Sequence, residues 1–184
     1  MTFLYYILFT AVVVGLDQFT KYLTVANIAP PPSATPQEIE ILRQAFYLTD
    51  SQLSDLPHHV SFIPDFLGFT HFHNDGAMWS TFSGQQWLFA LIFLAFTIGI
   101  IWEYFKKPMP FTNFERWCIA AIYAGGLGNM IDRVRFGYVV DMIKTLFMRF
   151  PIFNVADCFI TCGCFALMGS LIFINKEFWK EDKK

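Results

Sequence analysis

The chain has 184 residues, of which 55% are hydrophobic, 19% aromatic and only 15% charged, with a mean hydropathy of +0.43. Soluble domains carry less apolar and more charged residue, so this composition points to a membrane protein. A formal net charge of −2 and the lack of a basic patch interleaved with aromatics exclude a nucleic-acid partner.

Four segments, 3–26, 86–105, 115–131 and 152–175, are long and apolar enough to cross a bilayer as helices, which takes about 20 residues. They predict an all-α membrane protein: one integral membrane domain over residues 1–184, built as a four-helix bundle. The first segment reads as a span and not as a cleaved signal, because no Lys or Arg precedes Lys21 and no small-residue cleavage site follows. Within it, Asp17 and Lys21 sit at i and i+4 with the acid first, the favourable order for a pair. At 1.5 Å per residue Asp17 lies about 21 Å along the helix, in the outer half of the membrane. An ionisable group there is costly unless it faces the bundle interior or water. A structural pair whose Lys21 snorkels outward is the simplest expectation.

Residues 27–85 hold one basic residue, Arg43, against Glu38, Glu40, Asp50, Asp55, Asp65 and Asp75, and read as an outer-face region. Within it, PPPSATP (30–36) is expected to be an irregular linker. HVSFIPDFLGFTHFHNDGAMWS (59–80) mixes β-formers with turn residues, which predicts a small platform of two or three strands between the first and second spans. His58, His59, His71 and His73 raise a metal-dependent hydrolase as one reading, since neutral imidazoles bind zinc. Adjacent histidines and a His-x-His in a polar loop are more often surface residues, and neither a metal nor a cofactor is expected.

The second span is uniformly apolar. The third ends in Gly125, Gly126, Gly128 and Asn129, and small residues let helices approach closely in lipid, so it is expected to form the tight contact of the bundle. After Ile131 the chain is expected to leave the membrane and to re-enter near Ile152. With both termini inside, seven basic residues (Lys106, Lys107, Arg116, Lys176, Lys180, Lys183, Lys184) fall on the inner side and five (Arg43, Arg133, Arg135, Lys144, Arg149) on the outer, which favours N-in and C-in. Cys118, Cys158, Cys162 and Cys164 all lie within spans and read as packing residues, with neither disulfide nor metal inferred.

This layout puts Asp141, in VVDMI, and Asp157, at the start of the fourth span, on the same side of the membrane. Two carboxylates that converge cannot both ionise, so the pair shares a proton. Such a pair can activate a water with one member and protonate a peptide carbonyl with the other, which is amide hydrolysis without a covalent intermediate. Asn154 followed by Asp157 also resembles an N-cap and an acid at the third helical position, which would stabilise a helix start. Asp132 competes for a place in the pair, but Arg133 beside it opposes proton sharing, whereas Asp141 has apolar neighbours. Asp141 is preferred, with Asp132 and Arg133 as supporting or substrate-facing groups.

DQFTK (17–21), HNDGA (73–77), GGLGNMIDR (125–133), GYVVDMI (137–143) and FNVAD (153–157), in this order, resemble the motif set of the bacterial lipoprotein signal peptidases, or type II signal peptidases. The resemblance implies an aspartic endopeptidase of the bacterial inner (cytoplasmic) membrane, surrounded by lipid, with its site at the periplasmic face. Its substrate would be a prolipoprotein, cut before a diacylglyceryl-modified cysteine, and globomycin-type peptides would block it. Carried over residue by residue, Asp141 and Asp157 would be catalytic. Asn74, Gly76, Asn129, Arg133, Asn154 and Ala156 would bind substrate or shape the pocket, with Asp17 and Lys21 in support. The sequence departs from the family pattern at Met78 and Trp79 after HNDGA, in the one-residue offset of AGGLGN, and in the length of 27–70. The competing class is a small membrane transporter or channel subunit that uses Asp17 and Lys21 as an ion relay. Against it, the polar residues gather at one face.

Overall fold

The structure is a computed structural model that describes residues 2–46, 49, 54, 56–76, 82, 84–105 and 109–179. The elements are α1 (Thr2–Asn27), α2 (Pro36–Phe46), β1 (His59–Ile63), β2 (Leu67–Asn74), α3 (Gln86–Phe105), α4 (Asn113–Phe136), β3 (Val139–Thr145) and α5 (Val155–Gly169). A π-helical turn, Ser170–Ile174, and a short 3₁₀ turn, Lys176–Trp179, extend α5. Ala77, Met78, Trp79, Lys106, Lys107, Lys180, Lys183 and Lys184 lie outside the described residues.

The fold is mostly helical, and α4 is its centre, packing most extensively on α5 and then on α1. The glycines read as a contact stripe make these approaches. A Cβ on Gly125 would strike the Ala156 carbonyl and Ile160 of α5, and one on Gly128 would lie 2.6 Å from Asp17 Oδ2 of α1. α3 meets α4 through a Phe93–Tyr123 stack with ring centroids 5.2 Å apart.

The polarity of the bundle is inverted relative to a soluble protein. Leu8, Val12, Phe19, Ile98, Phe165 and Phe173 are exposed, while Asp17, Lys21, Asn129 and Asp132 are buried. Among the described residues, two helices are long and apolar enough to cross a membrane, Gln86–Glu103 and Val155–Ile174.

Two expectations need correction, and one helix was not foreseen. The stretch from Pro30 to Thr35 is irregular, as expected, and an unforeseen helix follows it: Glu38 Oε2 accepts from the Thr35 N–H at 2.6 Å and Thr35 Oγ1 accepts from the Glu38 N–H at 3.3 Å, a capping box that starts α2. The platform is a three-stranded antiparallel sheet in the order β1-β2-β3, and its third strand comes from 139–145, beyond α4, so the platform is not confined to the stretch between the first two spans. α4 does not stop at Ile131 but runs to Phe136, where Gly137, at φ 80°, closes it with an N–H to the Arg133 carbonyl. That left-handed position suits glycine. The helix can continue through Asp132 because that charge is neutralised inside the bundle.

The two faces of the sheet have different neighbours. Phe72 pairs with Asp141, His73 with Val140 and Asn74 with Val139. Alternation then puts Val140 and Tyr138 on one face, where they pack with Val25, Leu42 and Phe136. Leu42 is fully buried in this cluster, which fastens α2 by about 2 kcal/mol. Asp141 points from the other face. Backbone hydrogen bonds between Ile143 and Phe153, at 2.8 and 3.1 Å, tie β3 to the chain leading into α5.

Candidate active site

α5 starts where Asn154 leaves the helix direction and caps it. The Asn154 Oδ1 accepts from the Asp157 N–H at 2.9 Å, and Asp157 Oδ2 accepts from the Asn154 N–H at 3.1 Å. The helix-cap reading of this pair is therefore correct, and it does not exhaust what the residues do. Asn154 Nδ2 also donates to Asp141 Oδ1 at 2.7 Å and to Asn129 Oδ1 at 3.0 Å. Asn129 Nδ2 in turn donates to Asp157 Oδ1 at 2.8 Å. Asp141 and Asp157 are thus joined through two asparagines, from α4 and the start of α5. Asn74 Nδ2 completes Asp141 with a bond to Oδ2 at 2.8 Å.

Asp141 is 1% exposed, whereas Asp157 is only half-buried. Burial pushes the Asp141 carboxyl up to about 7, the negative charge of Asp157 adds to that rise, and the bonds from Asn74 and Asn154 oppose it. Asp157 sits in the first turn of α5. The two acids therefore sit in different environments: one shielded from solvent, the other half-exposed. This division lets one acid carry a proton while its neighbour accepts one.

Beneath them lies a charge cluster. Lys21 Nζ is 2.8 Å from Asp17 Oδ2, 2.9 Å from Asp132 Oδ2 and 3.0 Å from Asn129 Oδ1. Lys21 is 3% exposed and does not snorkel outward; two acids and an amide hold it inside. Asp132 is neutralised by Lys21 on α1 and not by its neighbour Arg133, and its Oδ2 also accepts the Val140 N–H at 3.1 Å. Asp17 Oδ1 accepts the Ala156 N–H at 3.0 Å, which anchors the start of α5 to α1. Arg133 is directed elsewhere, donating to the Gly76 carbonyl at 2.8 Å and the Asn129 carbonyl at 3.3 Å, with its guanidinium 4.3 Å from the Phe89 ring centroid. Gly76 donates its N–H to Asn74 Oδ1 at 3.0 Å.

Gln18 was missed by the sequence reading. Its Nε2 donates to Asp132 Oδ1 at 2.9 Å and to the Gly128 carbonyl at 3.2 Å. Its signal was its place inside DQFTK, but a residue next to Asp17 points off the Asp17–Lys21 face on an ideal helix, so spacing alone gave no reason to single it out.

His71 and His73 go to the other side of the sheet, while His59 lies on β1 with its ring against Gly68 of β2. His71 Nδ1 contacts the Ile28 carbonyl at 3.2 Å, which makes it the donor and leaves Nε2 to face His73 Nε2, also at 3.2 Å. Burial first, then the neighbouring His73, pushes His71 down to about 3. His73 stacks on Tyr138 and its Nδ1 stands 3.4 Å from Glu38 Oε1, close enough for an ion pair without hydrogen-bond alignment. Among the described residues, no three His, Cys, Asp or Glu side chains form a group able to hold a metal ion.

A helical bundle with an apolar exterior, a small sheet at one end and a linked pair of carboxylates between them defines a class, the membrane-bound hydrolytic enzymes. The solved structures agree on the fold: a bacterial membrane enzyme determined by the in meso method at 2.3 Å superposes with a TM-score of 0.69 at 30% identity, covering 97% of this chain and 93% of that one. A second, determined by the same method at 1.9 Å, gives the same score and identity over 92% of this chain. The sequence profile of the family described as "Signal peptidase (SPase) II" matches residues 9–173. A protein named lipoprotein signal peptidase from Enterococcus faecalis is 38% identical over 181 residues, 97% of this chain and 93% of its own length. One of the same name from Lactococcus lactis subsp. cremoris is 46% identical over 117 residues, 62% of this chain and 74% of its own. The chain belongs to the signal peptidase II family and is an aspartic protease. The transporter reading is not favoured.

Proposed function

We propose that this enzyme removes the signal peptide of prolipoproteins, cutting before a diacylglyceryl-modified cysteine, with Asp141 and Asp157 as its catalytic pair. One observation carries the assignment: the two carboxylates are bridged by Asn154 and Asn129 while differing in burial. In this reading Asp157 takes a proton from water as the water oxygen attacks the scissile carbonyl carbon, and Asp141 gives its proton to the carbonyl oxygen. The tetrahedral diol then collapses: Asp157 passes its proton to the leaving amide nitrogen, the C–N bond breaks, and Asp141 recovers a proton from the diol hydroxyl.

The chain would cross the bacterial inner membrane four times, through α1, α3, α4 and α5 with its π-turn, both termini inside and the pair at the outer face. The outward apolar side chains on α1 and α5, set against buried Asp17, Lys21 and Asp132, support this. A lipid-modified substrate then reaches the pair from the bilayer, at a depth where water is available. Asn74, Gly76 and Arg133 would hold the peptide beside Asp141. Asn129, Asn154 and Ala156 would keep the floor of the pocket in place, with Asp17, Lys21 and Asp132 in support. A globomycin-type peptide would occupy the same site.

The test is cleavage of a diacylglyceryl-modified prolipoprotein by the purified enzyme. Asp141→Asn and Asp157→Asn are each expected to lose about 10³-fold or more of turnover while still binding a globomycin-type ligand. Near-normal turnover in either variant overturns the pairing.

A further inference from the structure

Asn129 meets three partners at once. Its Oδ1 accepts from Lys21 Nζ and from Asn154 Nδ2, both at 3.0 Å, while its Nδ2 donates to Asp157 Oδ1 at 2.8 Å. A carboxamide turned end for end occupies nearly the same space, so its direction is chosen by what its two ends face. Reversed, the NH₂ of Asn129 would face an ammonium and a second NH₂, and its oxygen would face a carboxylate. Asn154 cannot turn to relieve this, because its own Oδ1 is committed to the Asp157 N–H. Lys21 supplies the charged end of that choice, and a charged donor counts for about twice a neutral one. Lys21 is itself fixed from two helices, by Asp17 of α1 and Asp132 of α4.

We infer that Lys21 is a positioning residue for the reaction: its ammonium fixes the Asn129 carboxamide so that an N–H, not a carbonyl oxygen, meets Asp157, which keeps Asp157 as the water-activating member. The inference rests on the pairing proposed above. The other groups around the pair do not replace this role. Asp17 and Asp132 are already engaged by Lys21. Arg133 feels both acids but points its N–H groups at the Gly76 and Asn129 carbonyls. Asn74 of β2 bonds Asp141 alone, and His73 and Glu38 lie across the sheet.

The experiment is the pH dependence of kcat and KM on a diacylglyceryl-modified prolipoprotein, for the wild type, Lys21→Met, Lys21→Arg and the charge-balanced Lys21→Met/Asp132→Asn. Without the cation only the Asn154 NH₂ still holds the Asn129 oxygen, so the carboxamide is less firmly directed and its N–H is withdrawn from Asp157 for part of the time. The acid limb of kcat is then expected to move up by about one pH unit, with KM within about twofold of wild type. Lys21→Arg, which keeps the cation, is expected to return the limb toward its original position. A merely structural Lys21 would lower the melting temperature and scale activity equally at every pH; that result overturns the inference. Should neither Lys21→Met variant fold, Asn129→Leu serves, and a wild-type acid limb there overturns it too. Dead Asp141→Asn and Asp157→Asn variants beside an unshifted Lys21→Met profile sink this inference alone. Active ones sink the pairing itself.

Discussion

Helices α4 and α5 both begin with a capping box, and the two acids in them have different surroundings. At the start of α4, Glu115 Oε2 accepts from the Thr112 N–H at 2.7 Å and from Asn175 Nδ2 at 2.7 Å, and its Oε1 accepts from Ser170 Oγ at 2.8 Å. Glu115 is fully buried and each of these partners is a donor, so the carboxylate is satisfied and locks the first turn of α4 to the π-turn after α5. At the start of α5, Asp157 makes the same cap, yet it is half-buried and shares an asparagine with a second acid. The local motif is the same in both places. What differs is the neighbour: Asp157 has a second acid, Asp141, linked to it through two asparagines, and the proposed chemistry rests on that difference.

The contrast is broken most sharply by substitution at the two caps. Asp157→Asn is expected to abolish turnover in a protein that still folds. Glu115→Gln is expected to keep kcat per folded molecule but to lose about 1–3 kcal/mol of stability in thermal denaturation, since an amide NH₂ must face buried donors. Gly128→Ala tests the packing between the charge cluster and the pair. Its Cβ would press on Asp17 Oδ2, and a cost of about 1–3 kcal/mol is expected in the same assay. pH sharpens the comparison further. With Asp141 raised to about 7, turnover is expected to fall as pH rises through that value and the shared proton is lost. Asn74→Ala removes a bond that lowers Asp141, so the alkaline limb of the pH–rate profile should move upward.

The smallest effect lies on the far face of the sheet. His71 is held neutral down to about pH 3, while the unfolded chain takes up that proton near 6.5. Its contribution to stability is thus complete above 6.5 and is lost as pH falls toward 3. His71→Gln should flatten the acid side of a melting-temperature profile without moving the pH–rate profile. Asp141 has the opposite sign: its folded form keeps a proton that the unfolded chain has released, so its contribution declines as pH rises from about 4 to about 7.

Much of this was legible in the chain. The segments 3–26 and 86–105 match α1 and α3 to within a residue at either end, because a long, mostly apolar run is a strong signal even where Asp17, Gln18 and Lys21 interrupt it. The end of α4 was missed because Asp132, Arg133 and Arg135 look like an exit from the membrane unless Lys21, more than a hundred residues earlier, is known to neutralise the first of them. β3 was missed for a related reason. VVDMIKT pairs with a strand about seventy residues upstream, and nothing local declares that partner. α2 had a local signal, Thr35 followed by Glu38, that the preceding prolines masked. Apart from Gln18, the side chains that bond to the two acids and to the charge cluster were named from sequence. What spacing could not give was the wiring: that Asn129 and Asn154 each reach three partners, and that the cation beneath them is shared among three groups.

The turn at Gly137 carries a further consequence. It leaves only Gly137 and Tyr138 between the end of α4 and the first residue of β3, so the strand has no slack with which to slide along β2. Since neighbouring strand residues point to opposite sides, a slip of one position would send Asp141 into the apolar space around Leu42 and bring Val140 to the side that faces Asp157. The reversal therefore acts as a ruler, and a single inserted residue there would yield an intact-looking but silent enzyme.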